Sequence, residues 1–382
     1  MSRNLLLGTF GGEGGEGGEG GEGGEGGEGR VGIFGSSART ARALITSRDG
    51  VVGGWHSNEP PPKHHTTGPS ALDLWSTQRR HQILQAELLS GITYDGAGNS
   101  MCLEFQKRNS GDSQPLVHMK RPSERDFQRQ LNWVRNYVAL RSERNSEIIV
   151  QLTDVLSFLG SVGSLHPQRH RHTLELLSLV QHVTIIIEMR IKHALACRRP
   201  VEYSPQIQPM IQTPGHGALP SGHATEAFTM AFVLYALMCT GPKRSADPDG
   251  RTFKQLMRHA ERIAINRTVA GVHFPADSVA GMVLAQTLAE FYIARFSGKG
   301  NVFTRWFNGN HFDGDFNYED VLDMAYKRKL HPKEDPKNIE KGEEMSISMS
   351  DKDKTVSVPD SPLLKHLWNG ASAEWPPVNK KK

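Results

Sequence analysis

Four helix-length runs, with apolar residues recurring every third or fourth position, crowd the stretch from residue 173 to residue 297. Runs of that length and period bury a face only by packing helix against helix. The first, Thr173 to about Cys197, places Leu174, Leu177, Val180, Val183, Ile187, Ile191 and Leu195 on a common side. The second follows His223 and runs to near Gly241, with Ala227, Phe228, Ala231, Phe232 and Leu234 as its apolar residues. Thr252 to Val269 is the third. The fourth starts at Pro275 and reaches about Phe296, with Val279, Met282, Val283, Thr287 and Leu288 turned inwards. Between the first two runs, Val201 to Leu219 carries Pro205, Pro209 and Pro214, cannot be a helix, and is expected to wrap over one end of the helices.

Polar residues gather at the ends of these runs in three clusters. Lys192 is followed after six residues by Arg199-Pro200. Pro220-Ser221-Gly222-His223 precedes the second run. Arg267 is followed by His273 and then, four residues on, by Asp277. Three cations converging without a partner would repel one another, so Lys192, Arg199 and Arg267 call for a multiply charged oxyanion. Phosphate and vanadate both offer oxygens for guanidinium forks and an ammonium. Ser221 adds a hydroxyl, and Gly222 an N–H that no Cβ shields. Both would sit at a helix N-terminus, where free N–H groups and the macrodipole favour an anion. A neutral imidazole can attack phosphorus or ligate a metal when its other nitrogen is held by an acceptor. Asp277, one helical turn beyond His273, has the spacing of that acceptor. His273 is then nucleophile or ligand, and His223 the general acid/base.

Together, in this order, the clusters resemble those of the type 2 phosphatidic acid phosphatase/vanadium haloperoxidase superfamily. The resemblance covers roughly residues 120–297, with its motif core at 173–297. It implies an all-α helical bundle of the haloperoxidase/acid phosphatase type. In that bundle Lys192, Arg199, Ser221, Gly222 and Arg267 hold vanadate or phosphate. It also implies that His273 is the axial vanadium ligand in a haloperoxidase or the nucleophile in a phosphatase. His223 would be the acid/base, and Asp277 would orient His273. His216, in the Pro-rich loop, occupies a position that the haloperoxidases fill with an aromatic residue or a histidine near vanadate, histidine going with bromide. The chain departs from the family pattern at Asn266, where a serine is usual; asparagine still donates and accepts.

Around this core the chain reads as linker and packing. Gly11 to Glu28 repeats Gly-Gly-Glu, and residues 1–70 are expected to be a disordered tether, because such sequence cannot bury apolar surface. Residues 71–330 are expected to form the catalytic domain and 331–382 a charged, disordered tail. Leu72 to Leu89 has a helical pattern; Gly91 to Pro122 reads as a long loop. Ser123 with Asp126 predicts a capped helix start, and helical spacing continues to Leu159. His166, His170 and His172 lie among arginines without a carboxylate nearby in sequence and read as surface residues. Asp313 to Asn317 begins like a calcium loop, but Tyr318 and Met324 stand where that loop needs Gly and Glu. Phe303, Trp306, Phe307, Phe312 and Phe316 read as a lid packed on the bundle.

Composition excludes several classes. The hydrophobic set makes up 37% of the 382 residues, low for a wholly globular chain, and the low-complexity ends account for it. A net charge of +4, partly in the tail, does not point to nucleic acid. Three cysteines, Cys102, Cys197 and Cys239, make no disulfide framework, and the latter two read as buried thiols. The most apolar run, Ala227 to Cys239, is too short to span a bilayer, and no secretory signal is evident at Met1 to Phe10. A soluble, cytoplasmic chain is expected, its oligomeric state left open, a homo-oligomer included. Since the superfamily's lipid phosphatases are membrane-embedded and its bacterial acid phosphatases exported, the sequence leans to a vanadium haloperoxidase. That enzyme would use hydrogen peroxide and halide, bromide before chloride. The alternatives are a soluble phosphatase acting on a phosphomonoester through a phosphohistidine, and a non-catalytic oxyanion-binding protein.

Overall fold

The structure, a computed structural model, describes residues 38–51, 60–61, 63–107, 111–240, 250–326, 347–350 and 354–375. The Gly-Gly-Glu repeat lies outside the described residues. Two units separate by contact: residues 16–83, and residues 84–382 with 1–15. In the first, helix α1 (Ala38–Val51) leaves Leu44 and Ile45 exposed, and a 3-10 turn (Pro69–Leu74) precedes α2 (Thr77–Leu89).

The larger unit is not all-α, which corrects the fold expected from sequence. Strands β1 (Ile92–Asp95), β2 (Ser100–Gln106) and β3 (Ser113–Lys120) form an antiparallel meander where a loop was expected. Later strands follow: β4 (Val302–Phe303), β5 (Arg305–Asn308), β6 (Ile347–Met349) and β7 (Thr355–Val356). β5 joins β3 in parallel, β6 pairs antiparallel with β5, and the five-stranded order is β1-β2-β3-β5-β6. Met101, Leu103 and Phe105 are the buried alternate positions of β2, and Leu116, Val117 and Met119 fill β3. The connection from β1 to β2 turns through Gly96 and Gly98, both at positive φ, which is why a glycine-broken stretch could still be sheet.

Helices form the rest. α3 (Glu124–Asn136) begins with a capping box: Asp126 N–H donates to Ser123 Oγ, and Ser123 N–H donates to Asp126 Oδ2. α4 (Arg141–Val150) and α5 (Leu156–Gly163) lead to the long α6 (Arg171–Leu195). The Pro-rich segment contributes one helical turn, α7 (Pro200–Tyr203), at its start. α8 (Gly222–Cys239), α9 (Arg251–Val269) and α10 (Pro275–Ser297) complete the core, and α8 packs against α6, α9 and α10. Phe228, Leu234, Leu237, Val283, Leu284 and Leu288 are fully buried there. Each such side chain contributes about 1.5–3 kcal/mol, enough to hold the desolvated polar groups described below. No helix among the described residues is long and apolar enough to cross a membrane.

Two further helices frame this core. α11 (Tyr318–Tyr326) lies in the chain between β5 and β6. α12 (Pro362–Ala373) lies in the stretch expected to be a disordered tail, and buries Leu364, Leu367, Trp368 and Ala371 against α6 and α10. Beyond it, Glu374 accepts from the main-chain N–H groups of His172 and Thr173 at 2.7 and 2.8 Å, placing a carboxylate on the N-terminus of α6. The same carboxylate is 2.9 Å from His172 Nδ1, and the Trp375 ring lies 4.7 Å from the buried His170 ring. The surface reading holds for His166 and His172, which are exposed, and is corrected for the buried His170; the carboxylate beside His172 comes from the far end of the chain. The cysteines are all free, with Cys102 and Cys197 buried and Cys239 half-buried rather than buried.

Candidate functional site

His273 stands between α9 and α10, in the short connection that Gly271 opens. Gly271 has φ +83°, and a Cβ there would lie 2.8 Å from Arg141 Nη2 and 3.0 Å from Ile207, so glycine alone fits this turn. Pro275 starts α10, and Asp277 caps it: Asp277 Oδ2 accepts from Phe274 N–H at 2.9 Å and lies 3.0 Å from His273 Nδ1. Both residues are fully buried. Burial raises the Asp277 carboxyl to about 7, opposed by the Phe274 N–H and by the charges of Arg199 and Lys192.

Arg199 fixes which nitrogen of His273 carries the proton. Its Nη1 lies 2.8 Å from His273 Nε2. A guanidinium only donates, so Nε2 presents its lone pair and Nδ1–H donates to Asp277. The same Nη1 donates to Val272 O at 3.0 Å, and Nε donates to His216 O at 3.1 Å. Nη2 faces His216 Nδ1 at 3.1 Å, and the same nitrogen lies 3.2 Å from Gly217 O. Arg199 is 1% exposed; Pro200 and the 2.7 Å bond from its own N–H to Glu202 set the backbone from which it projects. The structure thus brings His216, Arg199, His273 and Asp277 into one hydrogen-bonded chain.

Lys192 is buried near the end of α6. The Pro-rich loop approaches that helix end at Gly217, where a Cβ would stand 2.9 Å from the Lys192 carbonyl oxygen. Ser221 is the N-cap of α8 and accepts from Ala224 N–H at 3.5 Å, while its own N–H donates to Asp277 O at 2.9 Å. Gly222 is the first helical residue. The Ser221-Gly222-His223 segment therefore lies at a helix N-terminus tied to the start of α10.

His223 and Arg267 are held from another side. His223 Nε2 donates to the main-chain carbonyl of Gln151 at 3.0 Å, so Nε2 carries a proton. Arg267, on the last turn of α9, donates through Nη2 to Gln151 Oε1 at 3.0 Å and to Ile148 O at 3.2 Å. Asn266 Nδ2 donates to Gln151 Oε1 at 3.0 Å and to Glu147 Oε2 at 3.1 Å, and Arg144 donates to Asn266 Oδ1 at 3.1 Å. Sequence reasoning gave Gln151, Glu147 and Arg144 no part in the site. Nothing in the local pattern marks them, since their relevance comes from where α4 ends against α9.

Chemically, the arrangement offers a neutral, oriented imidazole whose lone pair faces a guanidinium, with a second imidazole and a second guanidinium both bonded to Gln151. Guanidinium and ammonium donors of this kind are complementary to tetrahedral oxyanions, phosphate and vanadate alike.

Residues 174–299 match the family model of the PAP2 superfamily. Among solved structures the chain is similar to a transmembrane PAP2-type phosphatidylglycerolphosphate phosphatase from Bacillus subtilis. The identity is 14% over 58% of this chain and 86% of that one, with a TM-score of 0.25, and a likeness at that score carries no argument. No curated protein matches. The matched span contains all but the first turn of α6, the whole of α8, α9 and α10, and every residue from Lys192 to Asp277. Residues 174–299 are a PAP2 superfamily domain.

Proposed function

We propose that the chain is a phosphatase, hydrolysing a phosphate ester through a phosphohistidine at His273. The observation that carries this reading is the Asp277–His273–Arg199 chain, which fixes a neutral imidazole with its Nε2 lone pair directed at an oxyanion-binding guanidinium. The order of the two readings drawn from the sequence reverses. Superfamily membership supports phosphate-ester chemistry, and these side chains supply each step of it.

Attack requires Arg199 Nη1 to pass its hydrogen bond from Nε2 to a phosphoryl oxygen. Nε2 then forms the P–N bond as the ester P–O bond breaks, and His223, protonated at Nδ1, gives that proton to the leaving oxygen. Arg199, Arg267 and Lys192 balance the charge gathering on the phosphoryl oxygens. Asp277 accepts from His273 Nδ1–H throughout and balances the imidazolium character of the intermediate. Neutral His223 next removes a proton from water, whose oxygen attacks phosphorus; the P–N bond breaks and its electron pair returns to Nε2.

The second reading, a vanadium haloperoxidase using peroxide and halide, is favoured by one observation. The half-buried His216 is hydrogen-bonded to Arg199 rather than standing apart in its loop. Vanadate held by His273, Arg199, Arg267 and Lys192 would supply a Lewis-acid centre for peroxide.

A paired assay on one metal-stripped preparation separates the two. One half receives a chromogenic phosphomonoester; the other receives orthovanadate, peroxide, bromide and a halogen-trapping dye. Phosphate release that vanadate inhibits, without bromination, is the expected result. Vanadate-dependent bromination far exceeding phosphate release would overturn it.

A further inference from the structure

Gln151 lies just past the end of α4, 1% exposed, outside the span matched by the family and outside every cluster that carries the motif. It nevertheless touches two of the motif's residues by two different groups. Its side-chain oxygen accepts from Arg267 Nη2, and its main-chain oxygen accepts from His223 Nε2, each at 3.0 Å.

The side-chain amide can face only one way. Arg267 has no acceptor to offer, so the atom towards it is Oε1. Asn266 reinforces that choice by donating Nδ2 to the same oxygen. Its own amide is fixed by two outside partners: Arg144 requires Oδ1 to face it, and the Glu147 carboxylate requires Nδ2. Glu147 is anchored in turn by two bonds from Arg262, at 2.6 and 2.8 Å. The orientation has a cost. Gln151 Nε2 is buried with no hydrogen-bond partner among the described residues, a loss of about 1–3 kcal/mol. A glutamine that leaves its own NH2 unpaired in order to present its oxygen is held there by what the oxygen binds.

We propose that Gln151 is a positioning residue of the oxyanion site: its amide oxygen aims Arg267, its main-chain carbonyl sets the His223 ring, and Asn266 locks the amide in that orientation. Asn266, the departure from the family pattern, thereby donates to Gln151 and Glu147 together, which the single hydrogen of a serine hydroxyl could not do. The inference rests on the proposed oxyanion chemistry of Arg267 and His223. It separates them by route, since the side chain of Gln151 serves Arg267 and its backbone serves His223.

That separation supplies the test. In the full-length protein, Gln151→Met keeps the volume and the main-chain carbonyl and removes the acceptor. The affinity for inorganic phosphate, measured calorimetrically, is expected to fall about tenfold, as for loss of a charge-assisted hydrogen bond. The pH profile of kcat, which reports His223, is expected to stay in place. An unchanged phosphate Kd, with or without a lower melting temperature, would reduce Gln151 to a structural residue and overturn the inference. Should the Met variant fail to fold, Gln151→Glu decides. It keeps an oxygen for both donors but ties Arg267 to a carboxylate, so phosphate binding should again weaken, and an unchanged Kd would overturn the inference. If the wild-type protein itself binds no phosphate, the functional reading falls and this inference with it. Equal binding by wild type and both variants sinks the inference alone.

Discussion

Arg199 Nη1 and His273 Nε2 are 2.8 Å apart, so the nitrogen that the chemistry needs is the one a guanidinium already grips. The grip keeps Nε2 unprotonated and, in the proposed reaction, places a charge where phosphoryl oxygens would arrive. Arg199 also bonds Val272 and both the ring and the carbonyl of His216. A lysine has no planar fork and cannot make these bonds together. Arg199→Lys is expected to lower kcat/KM for a phosphomonoester about 100-fold or more. Steady-state kinetics checks this, and a variant within a fewfold of wild type would remove Arg199 from the site.

His223 and His273 should separate in their effects. His273→Ala removes the nucleophile and should abolish turnover. His223→Ala should lower kcat by about 10²–10⁴ while phosphate still binds, because Arg199, Arg267 and Lys192 remain. Single-turnover assays beside phosphate titration test the division. Binding lost together with activity in the His223 variant would contradict its assignment as acid/base.

Burial lifts the Asp277 carboxyl from 3.8 to about 7 in the fold. Between those values the folded protein holds this proton more tightly than the unfolded chain. Its stabilising contribution is therefore complete below about pH 4 and declines until pH has passed 7. Asn cannot ionise, yet it still accepts from Phe274 N–H and His273 Nδ1–H. Asp277→Asn should accordingly raise the melting temperature, relative to wild type, more at pH 8 than at pH 5. Thermal melts at the two pH values measure this, and a difference independent of pH would refute it.

Gly271→Ala places a Cβ against Arg141 and Ile207 at a backbone φ of +83°. The strain should cost about 1–3 kcal/mol, read as a lower urea midpoint with an unchanged slope. Because His273 follows two residues later, activity should fall with it. Wild-type stability would show that the turn relaxes.

The four long helices were legible because each repeats one physical requirement, an apolar face every turn, along its length. The motif clusters were legible because their charges make sense only around an anion. The sheet was not. β1 and β5 have four residues each, too short for a period of two to stand out, and β5 pairs with β3 from far back in the chain, so no local window holds that signal. Gln151 was hidden for a related reason: a glutamine after a helix is ordinary until another helix sets an arginine beside it. His170 read as a surface residue because Trp375, which packs on its ring, comes from the other end of the chain, as does the Glu374 carboxylate beside the exposed His172.

The parallel pairing of β3 with β5 sets an order on assembly. Val117 meets Arg305 in that register, and the whole PAP2 superfamily domain lies between them in the chain. Closing so long a loop has an entropic cost that local contacts must offset first. The meander of β1 to β3 can form early, but its free edge is completed only after the helices have brought residue 305 back to it. Until then β3 is an open strand edge, and a folding intermediate with a finished meander and unfinished helices would be the species most exposed to strand-to-strand aggregation. A polypeptide stalled in synthesis before residue 305 would present that edge for as long as the stall lasted.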